Sequence, residues 1–283
     1  MSVAAESDQE WVREIGQREL FFLINMVEHG GIAGFRDPYP GYLLDELEEE
    51  WDKTRQQLQE RGLLSAGRSD LLIEPVLEAC LAVLDSPYAV RLELKKSGES
   101  IYDAYLHFLP QMVVERVQTV NGDEEGNSMV RLSAIANLEL SLPLIEQVFP
   151  VEAAAQGVIK QPFTLPVEAY DILLSGSDQE KARTLSTRLS PEQESLKALM
   201  KQAEFHGRMS LMQRSGPVWR QQIITCGIGV DGGWIARRDE EQGVRVENYR
   251  RKKLGLAVKT LVQDMLALPK TNFGGEAHDE DQD

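Results

Sequence analysis

Apolar residues recur at helical spacing from Trp11 to Glu28, at Ile15, Leu20, Leu23, Ile24 and Val27, which predicts an amphipathic helix. Gly30, Gly31 and Gly34 end it, and DPYPGY (37–42) reads as a turn. Leu44, Leu47, Trp51 and Leu58 mark one face of a second helix, with Gly62 as its C-terminal stop. The acids from Asp45 to Glu50 lie near its start, where the helix dipole favours them. Residues 71–84 read as a core helix through Ile73, Val76, Leu77, Cys80, Leu81 and Leu84. The period then changes to two. Val90, Leu92 and Leu94 alternate with Arg91, Glu93 and Lys95, the mark of a half-buried strand. SGES (97–100) predicts a hairpin turn, IYDAYLHFL, MVVERVQTV and NSMVRLS continue the sheet, and NGDEEGN (121–127) reads as an exposed loop. Ala134 to Phe149 returns to helical spacing, with Pro143 expected to kink or restart the helix.

Residues 150–162, with AAAQG and two prolines, read as a linker. Helical stretches follow around 166–174 and 178–188. Ser190 to Gln193 then has the pattern of a capping box, with Pro191 at the first helical position of a helix over 191–205. GRMSLMQR (207–214), PVWRQQIITCGIG (217–229), GWIARRD and GVRVENY (243–249) are predicted strands. A last helix carries Leu254, Val258, Leu261 and Met265.

The order of elements repeats. A shift of 118 lays AVRLELKK (89–96) on GRMSLMQR (207–214), and the next three strands and a closing helix follow in step. The expected fold class is therefore α+β. It has two pseudo-repeated halves, each with helices, three or four antiparallel strands and a closing helix, an arrangement compatible with one sheet joined across the halves. The boundaries are a frayed segment 1–10, a first half 11–149, the linker 150–162, a second half 163–268 and an acidic, disordered tail 269–283.

Charge and composition narrow the function. The 283 residues carry a net charge of −16, a balance that weighs against a nucleic-acid partner, whose phosphates reward clustered Lys and Arg. No apolar run reaches the roughly 18 residues of a membrane span. The acidic N-terminus lacks the pattern of a signal peptide, and a cytoplasmic location is expected. Cys80 and Cys226 sit in apolar runs and read as buried reduced thiols. His29 reads as a helix cap, and His107 and His206 as sheet residues; no metal cluster, cofactor motif or catalytic constellation emerges. Arg250 to Lys253 open the last helix, against its dipole, and read as a solvated face or a contact for an acidic partner.

GVDGGWIARR (229–238) invites a phosphate-loop reading. A Walker loop needs Lys-Ser or Lys-Thr after the glycines, and both it and the dinucleotide fingerprint need a helix next. Here a strand pattern follows, so the segment is expected to be a hairpin turn. In the strand before it, Trp219, Ile223 and Thr225 share one face, and Val218, Ile224 and Cys226 the other. Two readings follow: a sheet covered on both sides, or an apolar groove open to a client helix. With Trp234 on the next strand, Trp219, Ile223 and Thr225 are the candidate partner contacts.

Three stretches resemble the EspG family of cytosolic chaperones of type VII (ESX) secretion. LDELEEEWDKTRQQLQERGLL is similar to that family's charged helix and Gly-Leu-Leu element. LEACLAVLDSPYAVRLEL is similar to its core helix and first strand. GGWIARRDEEQGVRVENYRRKKLGLAVKTLVQDML is similar to its strand, turn, strand and closing helix. The likeness spans most of residues 15–267, without an invariant signature, and the family's Leu-Pro-x-Pro-Leu and Ser-His-Gly segment has only DPYPGY as a loose echo. It implies a binding protein without catalysis. The implied partner is a helical-hairpin secretion substrate, PE/PPE- or WXG100-like, contacted through the sheet and helices of the second half. A homodimer is compatible with this. The rival expectation is a winged-helix-like DNA-binding regulator over residues 19–73, with acids where a recognition helix wants cations.

Overall fold

In the computed structural model, two strands from distant parts of the chain meet at the middle of one large sheet. These are Tyr88–Lys96 (β4) and Phe205–Ser215 (β9), antiparallel, with Leu92 opposite Met209. The structure describes residues 11–27, 31–67, 71–119, 128–135, 138–151, 159–175, 190–216, 218–230, 232–239 and 243–267. Outward from β4 lie Glu99–Leu109 (β5), Met112–Thr119 (β6), Met129–Ile135 (β7) and Trp11–Gly16 (β1). Outward from β9 lie Val218–Gly229 (β10), Gly232–Asp239 (β11), Gly243–Asn248 (β12) and Phe163–Leu165 (β8). Leu64–Ala66 (β2) and Leu71–Ile73 (β3) form a separate short hairpin. The helices are Gln17–Met26 (α1), Leu44–Glu60 (α2), Pro75–Leu84 (α3), Leu138–Val148 (α4), Val167–Ser175 (α5), Pro191–Gln202 (α6) and Arg251–Ala267 (α7). The fold is α+β, built on one antiparallel sheet.

Period-two alternation gives this sheet two different faces. On one, Val90, Leu92, Leu94, Phe108, Met209, Leu211, Ile224, Cys226 and Ile235 are buried with Ile145 and Phe149 of the α4 segment and Leu254 and Val258 of α7. Gly255 lets α4 and α7 close up, since a Cβ there would lie 2.6 Å from the Glu146 carboxylate. The other face carries two separate apolar clusters. Leu20 and Leu23 of α1 and Leu77 and Leu81 of α3 pack with Ile15, Val114, Val130 and Leu132. Tyr170 of α5 and Leu196 and Leu199 of α6 pack with Trp234, Ala236, Val244 and Val246.

Several boundaries depart from the sequence reading. Trp11–Gly16 is strand, because Ile15 pairs with Val130 of β7. The helix begins only at Gln17, where Glu19 accepts from the Gly16 backbone at 2.7 Å and binds Arg61 at 2.5 Å. Residues 71–73 pair with β2, and α3 starts at Pro75, capped by the Glu74 carboxylate on the Leu77 N–H at 2.7 Å. Ala134 and Ile135 end β7 by pairing with Val114 and Val113, and α4 runs through Pro143 as one element. The Ser190 capping box forms as read, and α6 ends at Gln202. The 178–188 helix, the 121–127 loop, His29, the first ten residues and the tail lie outside the described residues.

The glycines of GVDGGW serve a hairpin, since Gly229 pairs with Gly232 and β11 follows. A Cβ on Gly229 would lie 2.8 Å from the Gln202 carbonyl, and one on Gly233 2.6 Å from the Gly227 carbonyl. They permit close backbone approach.

Candidate partner-binding cleft

Between the two helical groups on the second face, the central strands present a strip of polar side chains. Antiparallel register places cross-strand partners on one face. One row runs Arg116, Tyr105, Arg91, Ser210, Ile223 across β6, β5, β4, β9 and β10. The next runs Asp103, Glu93, Arg208, Thr225, Ala236. Arg91 donates two bonds to Asp103, at 3.0 and 2.8 Å, and lies 3.2 Å from Glu93, which Arg208 approaches at 3.7 Å. The side chains of Arg91 and Asp103 are 33% and 41% exposed, so this ladder is open to solvent. Exposed pairs contribute only ~0–1 kcal/mol each. Their effect here is to make the floor of the cleft charged.

At the second-half end a cavity of about 350 Å³ is lined by Val167, Gln221, Ile223 and Arg238. Arg238 reaches Asp171 of α5 at 3.8 Å. Ile223 is therefore an apolar spot in a charged frame.

The four residues singled out from sequence do not form one patch. Ile223 lines the cavity. The Thr225 hydroxyl is hydrogen-bonded to that of Tyr170, which fastens α5 to the sheet. Burial pushes the Tyr170 hydroxyl to a higher pKa, so it stays protonated. Trp219 lies at the far end of β10, where its indole N–H donates to the Gly31 carbonyl at 3.0 Å and Arg214 lies 5.7 Å from its ring centre. Trp234 is 1% exposed, packed edge-on against Tyr170 and lying over Gly227. A partner reaches it only if α5 moves. The open strip is mostly charged, so of the two readings of this strand it matches neither the sheet covered on both sides nor the apolar groove in full. Arg238 was missed, although it alternates with Trp234 and Ala236 and so had to share their face. The Arg91–Asp103–Glu93–Arg208 ladder depends on a register that no local pattern reveals.

The other singled-out groups are buried. Cys80 and Cys226 are free, and burial pushes both thiols up to about 12. His107 is fully buried, and desolvation, with Arg116 nearby, holds its pKa well below the ordinary value. Among the described residues no group of three His, Cys, Asp or Glu side chains could hold a metal ion. No helix among them is long and apolar enough to cross a membrane.

No protein-family model matches the chain, and no curated protein matches it in sequence. Solved structures do match. The Mycobacterium tuberculosis type VII secretion system chaperone EspG5, solved in complex with the PE25–PPE41 dimer, is 13% identical, with a TM-score of 0.55 over 92% of this chain and 98% of that one. The peroxisomal multifunctional enzyme type 2 of Drosophila melanogaster, 15% identical, gives a TM-score of only 0.19 over 85% of this chain and 48% of that one. The chain thus has the fold of the EspG5 chaperone. The DNA-binding alternative gains no support. The exposed face of α2 presents Asp45, Glu46, Glu48, Glu49 and Asp52, and its Lys53 and Arg55 are ion-paired within the helix.

Proposed function

We propose that this protein is a cytosolic adaptor that binds a helical-hairpin secretion substrate of the PE/PPE or WXG100-like kind and keeps it soluble before export. The observation that carries this reading is the fold likeness to a secretion chaperone over nearly the full length of both chains. The job is binding without turnover, and it needs no cofactor. The contact surface is the second-half end of the cleft. Ile223 and Val167 supply apolar contact there, Gln221 and Arg238 supply polar anchors, and Trp219 holds β10 in place at its far end. A surface of this mixed kind suits the end of an amphipathic helix pair, whose apolar seam is flanked by charge.

The test is co-expression with a helical-hairpin substrate that is insoluble alone, followed by size-exclusion chromatography with light scattering. The reading expects a soluble complex of defined stoichiometry. Persistent insolubility of such substrates beside a folded, soluble adaptor contradicts it. The same measurement on the adaptor alone reports whether it is a homodimer.

A further inference from the structure

The first-half end of the cleft holds a second cavity, of about 270 Å³, lined by Gln17, Gly34, Arg36, Arg91, Asp103, Tyr105 and Gln118. Its electrostatics run against those of the chain. The whole protein carries −16, yet two arginines, Arg36 and Arg91, line this cavity with a single carboxylate, and Arg116 lies against the ring of its Tyr105. Arg91 lies 5.4 Å and Arg116 4.4 Å from the Tyr105 ring centre, and Arg36 lines the cavity beside them. Asp103 is taken up by Arg91, whose second acid, Glu93, is shared with Arg208.

Arg116 is the telling member. It is 1% exposed, donates to the Ala33 carbonyl at 2.6 Å and lies 5.7 Å from the Phe35 ring centre, and no carboxylate pairs with it among the described residues. A buried cation without a directly paired carboxylate is costly, and burial lowers its pKa to about 10, an effect that Tyr105 and the Asp103 carboxylate offset only in part. Among the described residues the Arg36 guanidinium and the Tyr105 hydroxyl have no partner, and the Nη1 of Arg91 is not engaged by Asp103. The cavity thus offers unused donors of the kind that grip oxyanions. Gly34 makes room for Tyr105, because a side chain there would collide with the phenol, its hydroxyl first.

We propose that this cavity is a binding site for an oxyanion, a phosphate or carboxylate group carried by a small ligand, gripped by Arg36, Tyr105 and Arg91 with Arg116 as the buried counter-charge. The site is independent of the adaptor reading and stands or falls separately.

The experiment is thermal unfolding of the full chain in inorganic phosphate, in citrate and in chloride at matched ionic strength. The wild type is compared with Arg36→Ala, Tyr105→Phe and, as a control cation on the exposed part of β10, Arg220→Ala. The proposal expects a saturable rise in Tm with phosphate or citrate that chloride does not give. That rise is retained in Arg220→Ala and lost or cut at least about tenfold in apparent affinity in Arg36→Ala and Tyr105→Phe. A rise with phosphate alone identifies a phosphate ligand, and a rise with citrate alone a carboxylate. No rise above chloride overturns the proposal, as does a rise that persists unchanged in Arg36→Ala and Tyr105→Phe.

Discussion

The indole of Trp234 fills the place that a side chain on Gly227 would need: a Cβ there would lie 2.5 Å from the indole Nε1. The two residues face each other across β10 and β11, and the space over Gly227 lets the largest side chain of this cluster fit in edge-on contact with Tyr170. Gly227→Ala is therefore expected to destabilise the fold by about 1–3 kcal/mol through overpacking. Urea unfolding measures this. An unchanged midpoint would show that Trp234 has room to move.

Tyr170 and Thr225 make the neighbouring contact, the hydrogen bond that holds α5 against the sheet. Both groups are partly buried, so Tyr170→Phe leaves the Thr225 hydroxyl short of its partner at a cost of about 1 kcal/mol. The expected signature is local. Amide exchange should quicken in α5 while β4 and β9 stay protected. Equal loosening of the central strands would argue that this bond is not confined to α5.

His107 predicts a pH dependence. Burial and Arg116 hold its folded pKa well below 6.5, so the native state keeps it neutral where the unfolded chain takes up a proton. The unfolded state then binds more protons, and stability falls as pH drops below about 6.5, by at most ~1.4 kcal/mol per pH unit from this one group. Equilibrium unfolding between pH 7.5 and 5 should show this slope, and His107→Gln should flatten it. A slope unchanged in that variant would assign the effect to other groups.

The two thiols are expected to be inert in the folded protein. Burial raises both to about 12, which leaves almost no thiolate at neutral pH. Iodoacetamide should label Cys80 and Cys226 only as fast as the protein opens, and both at once in denaturant. Prompt labelling of the native state would contradict their burial.

Much of this architecture was legible in the sequence where the signal is local. Alternation at Val90, Leu92 and Leu94 marks β4, the Ser-Gly pair at 97–98 turns it into β5, and Ser190 with Gln193 caps α6. What was misread depends on distant partners. WVREIG continues a helical spacing, and only the pairing of Ile15 with Val130 makes it a strand. Leu71 to Ile73 fits α3 by period but is drawn to β2. The same limit governs the cleft. Arg91, Glu93 and Asp103 look like the wet side of ordinary strands. That they join Arg208, far along the chain, becomes visible only when β4 and β9 are placed side by side.

The central claim is that the Ile223 end of the cleft holds a helical partner, and the most direct test is affinity. The dissociation constant of a purified helical-hairpin substrate would be measured against wild type, Ile223→Asp and, as a control on the exposed β10–β11 turn, Val230→Asp. A buried contact truncated and charged at the centre of an interface should cost about 2–4 kcal/mol, roughly 30- to 1,000-fold in affinity. The account predicts that loss in Ile223→Asp with Val230→Asp at the wild-type value. Equal affinity for all three, with the Ile223→Asp protein folded, would contradict it.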